Sequence, residues 1–139
     1  MGYDDDETND HRLAIDVFKN INIANAEKDF ILVKPSTLPN YAYTADHSLP
    51  STRNGIDAYD YYAVYRIIDA LIDYSFKGNV QAKDVCLGNG SLAQKTMPSY
   101  HGVALQPLLV TDNPTAQYPQ TKYLFKCTSL DNPRLGNCQ

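Results

Sequence analysis

The chain opens with Gly-Tyr-Asp-Asp-Asp-Glu at positions 2–7, and this stretch decides how the following residues are interpreted. Apolar residues recur every four positions after it, which predicts a helix over residues 10–22. The continuous apolar run Phe-Ile-Leu-Val at positions 30–33 predicts a buried strand. Residues 1–3 have the character of a strand's last residues. The order strand end, acidic loop, helix and strand indicates an α/β fold.

The rest of the chain contains one strong helical pattern and much irregular sequence. A long polar loop is predicted over residues 35–55, and a helix over residues 57–76 that ends at Gly78. Its apolar stripe is expected to pack in the core; the stripe consists of Tyr61, Val64, Tyr65, Ile68, Leu71 and Ile72. We expect a short helix over 80–87 and strands at 103–110 and 121–127. Residues 1–78 form the α/β segment in this interpretation, and residues 79–139 a loop-rich extension of the same domain.

Composition and charge exclude several classes of protein. The 139 residues correspond to one domain, with 43% hydrophobic and 20% charged residues. The net charge of -4 leaves no basic surface for nucleic acid, so no nucleic-acid partner is expected. No apolar run approaches the roughly 20 residues that span a bilayer, so no membrane span is expected.

Three cysteines, Cys86, Cys127 and Cys138, give an odd count that argues against a closed disulfide framework. Cys127 and Cys138 flank a loop-forming segment and could be bridged, or all three thiols could be free. Cys86 has the character of a small core residue. The compartment stays open, with a mild preference for a secreted or periplasmic location.

An acidic loop and a histidine follow successive predicted strands. Asp4, Asp5 and Asp6 follow the first strand end, and His47 lies in the loop after residues 30–33. Loops that leave neighbouring parallel strands meet at one edge of the sheet, where catalytic groups gather. A carboxylate there can hold an imidazole in one tautomer and stabilise its cation. His11, at the start of the first predicted helix, is expected to face solvent.

This order of elements resembles the C-terminal part of the α/β-hydrolase fold. In that family the triad runs serine, then Asp or Glu, then histidine. The resemblance covers about residues 1–76 and implies Asp6 as the triad acid, with Asp5 as the second choice, and His47 as the general base. It implies hydrolysis of an ester or related acyl bond in a small-molecule substrate, with no cofactor and no metal.

The family's nucleophile is the point at which this sequence departs from the pattern. No G-x-S-x-G pentapeptide occurs in the chain, so the serine has to come from a missing N-terminal segment or a partner chain. The chain alone is not expected to be active. If it is such a part of an enzyme, the apolar stripe of the second helix should be incompletely covered.

Two other functions stay open. The chain could be a stand-alone α+β binding or interaction module that completes its own core. A weaker alternative is a phosphatase resembling the haloacid dehalogenases, because Asp4-x-Asp6-x-Thr8 matches their D-x-D-x-T motif. In that family the two aspartates act with magnesium.

Overall fold

A three-stranded mixed sheet lies at the centre of the structure, a computed structural model that describes residues 1–50 and 55–138. Strand β1 (Gly2–Tyr3) is parallel to β2 (Phe30–Val33). Strand β7 (Leu109–Thr111) is antiparallel to β2 on its other side, so the order is β1-β2-β7. All four residues of β2 are buried, which confirms the predicted strand.

Helix α1 (His11–Asn20) connects the two parallel strands and confirms the helix predicted from the spacing of apolar residues. Asp10 caps it by accepting a hydrogen bond from the backbone N–H of Arg12. Ile15 and Phe18 pack against Phe30 of β2, with the two phenylalanine rings edge to face. A strand, a helix and a parallel strand therefore follow one another, as a β-α-β unit requires.

Two short hairpins lie outside the three-stranded sheet, and the sequence predicted neither of them. Strands β3 (Ser36–Leu38) and β4 (Tyr41–Tyr43) pair within the segment predicted as a long loop over 35–55; positions 51–54 of that prediction lie outside the described residues. Strands β5 (Ser99–Tyr100) and β6 (Val103–Ala104) form the second hairpin. The strand predicted at 103–110 is therefore two separate strands, β6 and β7.

The long helix confirms the extent of the helix predicted over residues 57–76. A π-helical segment, Asp60–Tyr65, continues directly into α2 (Arg66–Lys77). Asp57 and Asp60 cap its start reciprocally, since each carboxylate accepts the other's backbone N–H. The helix ends at Gly78, whose φ of 67° is left-handed and favours glycine.

The predicted core face of this helix was wrong for four of its six residues. Val64 is buried and Tyr65 packs against the core, but Tyr61, Ile68, Leu71 and Ile72 are exposed. The helix packs instead through a neighbouring stripe at the same spacing, formed by Tyr59, Ala63, Ile67, Ala70 and Tyr74. These residues join β2, β3 and β4 in the main core. The helix is therefore apolar on two sides, and the structure covers only one of them.

The C-terminal part of the chain contributes to the same core and is otherwise irregular. Helices α3 (Lys83–Cys86) and α4 (Leu92–Lys95) pack near α2, and Leu105 and Leu108 complete the main core. The strand predicted at 121–127 is wrong: the described residues there form a 3₁₀ turn, Gln120–Lys122, and one bridge from Asn9 to Phe125. Cys127 and Cys138 form a disulfide, and Cys86 is a buried free thiol.

The architecture is thus a mixed α/β fold with small sheets and short helices. Among residues 1–50 and 55–138, no helix has both the length and the apolar character needed to cross a bilayer.

Candidate functional site

The acidic loop and the histidine loop are joined by backbone hydrogen bonds at the ends of β1 and β2. The N–H of Asp4 donates to the carbonyl of Val33 at 2.9 Å, which continues the parallel pairing beyond β1. Asp5 then forms two bonds with Ala45: its N–H donates to the Ala45 carbonyl at 2.9 Å, and its Oδ2 accepts the Ala45 N–H at 3.0 Å. These bonds fix the loop containing His47 against the acidic loop.

Asp6 shapes the acidic loop and faces the histidine with its second oxygen. Its Oδ1 accepts hydrogen bonds from the backbone N–H groups of Thr8 (2.6 Å) and Asn9 (3.1 Å). The other oxygen, Oδ2, lies 3.4 Å from Nδ1 of His47. The Asp6 side chain is buried, whereas 54% of the His47 side chain is exposed. The pair therefore combines a fixed carboxylate with an accessible imidazole.

Asn9 is a second partner for the same ring nitrogen. Its Nδ2 lies 3.2 Å from Nδ1 of His47. An amide N–H needs the lone pair of Nδ1, whereas the Asp6 carboxylate needs a proton on Nδ1. The two contacts therefore select opposite tautomers of the neutral ring, and only the contact with Asp6 leaves the lone pair on Nε2.

A cleft of about 470 Å³ opens beside the pair. His47, Asp6 and Asn9 line one part of it, and apolar residues line much of the rest. The apolar lining consists of Met1, Leu13, Ala14 and Leu49. Such a mixture, apolar walls with a few polar groups, is typical of small-molecule sites.

The other two aspartates of the loop hold structure. Asp4 forms an ion pair with Lys34 (3.1 Å), and its Oδ1 accepts the Tyr118 hydroxyl (2.9 Å). Asp5 binds the backbone of Ala45, as described above, and makes no hydrogen bond to His47 among the described residues. Of the candidate acids, Asp6 is thus the one that lies within reach of the imidazole.

A C-terminal segment, residues 122–127, is hydrogen-bonded to the acidic loop. The N–H groups of Leu124 and Phe125 donate to the carbonyls of Glu7 and Thr8, each at 2.7 Å. The N–H of Cys127 donates to Oδ2 of the buried Asp10 at 3.1 Å. The sequence did not predict that residues 122–127 contact the acidic loop. Its only signal there was an apolar pattern, which was interpreted as a strand at 121–127.

His11 is buried, so the expectation that it faces solvent was wrong. Its Nε2 lies 2.8 Å from the carbonyl oxygen of Tyr3, to which it donates, and its ring contacts Tyr123. Burial lowers the pKa of His11 below its ordinary value, outweighing the opposing effect of the Tyr3 carbonyl. Burial likewise raises the pKa of Tyr123 to about 12. The His11 and Tyr123 rings are therefore uncharged where they pack against the acidic loop.

No metal-binding group of three or more His, Cys, Asp or Glu residues occurs within the described part of the chain. Comparisons with protein families, with curated proteins and with solved structures find no match to this sequence. The interpretation of the site therefore depends on the geometry of its own residues.

Proposed function

We propose that this chain supplies the acid and the histidine of a Ser-Asp-His triad that hydrolyses an ester or related acyl bond. The proposal is carried by one observation: Nδ1 of His47 and Oδ2 of Asp6 lie 3.4 Å apart, on loops joined by the backbone hydrogen bond from Asp5 to Ala45. This distance is at the long end of the hydrogen-bond range, as is common for catalytic pairs without substrate. The resemblance to the C-terminal part of the α/β-hydrolase fold adds the order acid, helix, strand and histidine.

The chemistry assigned to the pair follows from the tautomer that Asp6 selects. With its proton on Nδ1 directed at Asp6, His47 presents the lone pair of Nε2 as a general base. Nε2 takes the proton of the attacking serine and returns it to the leaving group, while the Asp6 carboxylate stabilises the imidazolium. The apolar cleft beside the pair suits the acyl part of a small substrate.

The serine has to come from outside this sequence, because no G-x-S-x-G elbow occurs in it. Two surfaces suit the attachment of a further segment or partner chain. The first is β1, which lies at one edge of the sheet; its Tyr3 carbonyl accepts a hydrogen bond from His11, so a further strand would have to replace that contact.

The second surface is the outer apolar side of the long helix. Ile68 is 46% exposed and Phe76 84% exposed, and Leu71 and Ile72 lie between them. Exposed apolar surface of this extent is typical of an interface. Both surfaces support the proposal that further sheet and helix residues complete the enzyme.

Fluorophosphonate labelling of the natural protein, isolated in its native assembly, tests this function. The probe bonds to an activated serine, so we expect a label on the polypeptide that contains this chain or on a chain bound to it. His47→Gln should abolish the labelling, whereas Lys126→Gln, an exposed change outside the cleft, should leave it intact. Absence of label on the native assembly, or full labelling of His47→Gln, would overturn the proposal.

A non-catalytic binding module is the second candidate. Its support is the main core, which buries residues from the sheet, the first hairpin, the long helix and the C-terminal part together. A chain that completes such a core has the means to fold by itself. The same labelling experiment separates the two, because a binding module acquires no label in any assembly.

The phosphatase alternative has less support from the geometry. It needs Asp4 as a nucleophile, but both oxygens of Asp4 are engaged, by Lys34 and by Tyr118. Asp6 would be the acid–base residue of that mechanism, but its Oδ1 accepts the Thr8 N–H and its Oδ2 faces His47.

A further inference from the structure

A second cleft, of about 430 Å³, lies between the two hairpins. Six residues line it: Asn40, Tyr41, Tyr43, Asp57, Tyr100 and His101. None of the residues that line the cleft beside His47 is among them. Four of the six are aromatic, and the set contains no Lys or Arg.

The inner wall of this cleft is buried and held by ring stacking and hydrogen bonds. Tyr43 stacks on Tyr59, with ring centroids 4.8 Å apart and planes 11° apart. The Tyr59 hydroxyl donates to the carbonyl of Lys34 at 2.7 Å and also pairs with the hydroxyl of Ser36. Burial and the nearby Asp57 carboxylate raise the pKa of Tyr43, which keeps its hydroxyl neutral.

The outer walls are open to solvent. Tyr41 meets Tyr43 edge to face, with 4.7 Å between ring centroids, and Tyr100 meets His101 edge to face at 4.3 Å. About half of the Tyr41 and Tyr100 side chains is exposed. His101 and Gly102 have φ values of 48° and 80°, the two left-handed residues of a tight hairpin turn, which fixes the position of Tyr100.

One carboxylate adds charge to these aromatic walls. Asp57 Oδ1 is held by the helix start, where it accepts the backbone N–H of Tyr59 at 2.7 Å. Aromatic rings present partial negative charge on their faces, and a carboxylate adds a full one. The whole chain is also acidic, with a net charge of -4. The cleft therefore has the electrostatic character that favours a cation.

We propose that this cleft binds a quaternary ammonium group. Such a group is bulky, positively charged and weakly hydrated, and aromatic residues recognise it through cation–π attraction. Tyr41, Tyr43 and Tyr100 supply the aromatic surfaces, and Asp57 supplies the opposite charge. The proposal is independent of the hydrolase function, because it uses none of the residues of the His47 site.

A choline titration of the isotopically labelled chain tests the proposal. Binding is measured from backbone NMR shifts at pH 8 and constant ionic strength. We expect saturable shifts confined to residues 40–43, 57–59 and 99–103. The uncharged analogue 3,3-dimethylbutan-1-ol has the same shape but lacks the positive charge that the tyrosines and Asp57 attract, so it should bind at least about fivefold more weakly. Equal binding of the two compounds would overturn the proposal, as would no saturable shift with choline up to about 50 mM.

Variants assign the effect to the named residues. Tyr100→Leu and Tyr41→Leu should each weaken choline binding about fivefold. Asp57→Asn removes the charge but keeps an oxygen to cap the helix, so it should weaken choline and leave the uncharged analogue unaffected. Tyr62→Leu, on the long helix and outside the cleft, should bind choline like the unmodified chain. Unchanged choline affinity in all three cleft variants would contradict the assignment.

Discussion

The imidazole Nδ1 of His47 lies 3.4 Å from Oδ2 of Asp6, although 41 residues separate them in sequence. The parallel pairing of β1 with β2 continues to Asp4, and the next residue, Asp5, bonds to Ala45, which follows the hairpin strand β4. Backbone hydrogen bonds from Asp4 and Asp5 then hold the loops at this separation. The contact therefore depends on the return of the chain after β4 as well as on the pairing of β1 with β2.

The tautomer of His47 is the first quantity that this geometry predicts. Asp6 favours a proton on Nδ1, and Asn9 favours a proton on Nε2. Asn9→Ala should therefore raise the Nδ1–H population of the neutral ring. Asp6→Asn, which keeps an oxygen for the turn at Thr8, should lower it.

Nitrogen NMR of labelled histidine above pH 8, where an imidazole is ordinarily neutral, measures these populations. His101, on the second hairpin, serves as the internal control because neither variant touches it. Identical His47 spectra in both variants would show that neither residue sets its tautomer.

Acid should destabilise the fold through His11. Because burial lowers the pKa of His11, the unfolded chain takes up this proton at a higher pH than the folded chain. The stability that neutral His11 provides is complete above its ordinary pKa of about 6.5 and is lost as pH falls. His11→Gln keeps a donor for the Tyr3 carbonyl but does not titrate.

Urea unfolding between about pH 7 and pH 5 checks this sign. The free energy of unfolding should fall more steeply with decreasing pH in the unmodified chain than in His11→Gln. Parallel curves for the two proteins would show that His11 titrates alike in the folded and unfolded states.

The disulfide between Cys127 and Cys138 should stabilise the segment that fastens the acidic loop. It closes a loop over 11 positions of sequence, for which the chain-entropy relation gives about 3 kcal/mol. Replacing both cysteines by serine should lower the free energy of unfolding by about that amount. It should also speed amide exchange at Leu124 and Phe125, which donate to the loop. Unchanged amide exchange at Leu124 and Phe125 would show that the disulfide does not stabilise their contact with the acidic loop.

Neighbouring isoleucines on α2 test which side of the helix is buried. Ile67 is 6% exposed and Ile68 is 46% exposed. Ile67→Ala should cost about 2–5 kcal/mol of unfolding free energy, because it leaves a cavity in the core. Ile68→Ala should cost well under that, about 0.5–1 kcal/mol, in the isolated chain. A larger loss for Ile68→Ala would place the core on the predicted stripe after all.

Sequence periodicity predicted the elements better than their packing. The helix ending at Gly78 was predictable because its pattern is long and its end is a glycine. Its buried side was not, because two apolar stripes run along it, and the alanines of the buried stripe, Ala63 and Ala70, carry little hydrophobic signal.

For the site, too, the sequence predicted the order of the elements better than the contacts between side chains. The order of strand, acid and histidine led us to expect Asp6 and His47 to be neighbours, but the hairpin β3–β4 lies between β2 and His47, so the strand order alone does not require the contact. Asn9 had no sequence signal as a partner of His47, since this contact depends on the turn that Asp6 closes. The first hairpin was missed because its three-residue strands, Ser36–Leu38 and Tyr41–Tyr43, are too short for a clear alternation.

The rate of fluorophosphonate labelling of the native assembly, compared between Asp6→Asn and Asp5→Asn, tests the central claim most directly. If Asp6 orients His47 as the triad acid, Asp6→Asn should slow labelling by about 10³- to 10⁴-fold. Asp5→Asn keeps the carbonyl oxygen that accepts the Ala45 N–H, so it should label at nearly the unmodified rate. Equal rates in the two variants, or full-rate labelling of Asp6→Asn, would contradict the assignment of Asp6 and His47 as an acid–base pair.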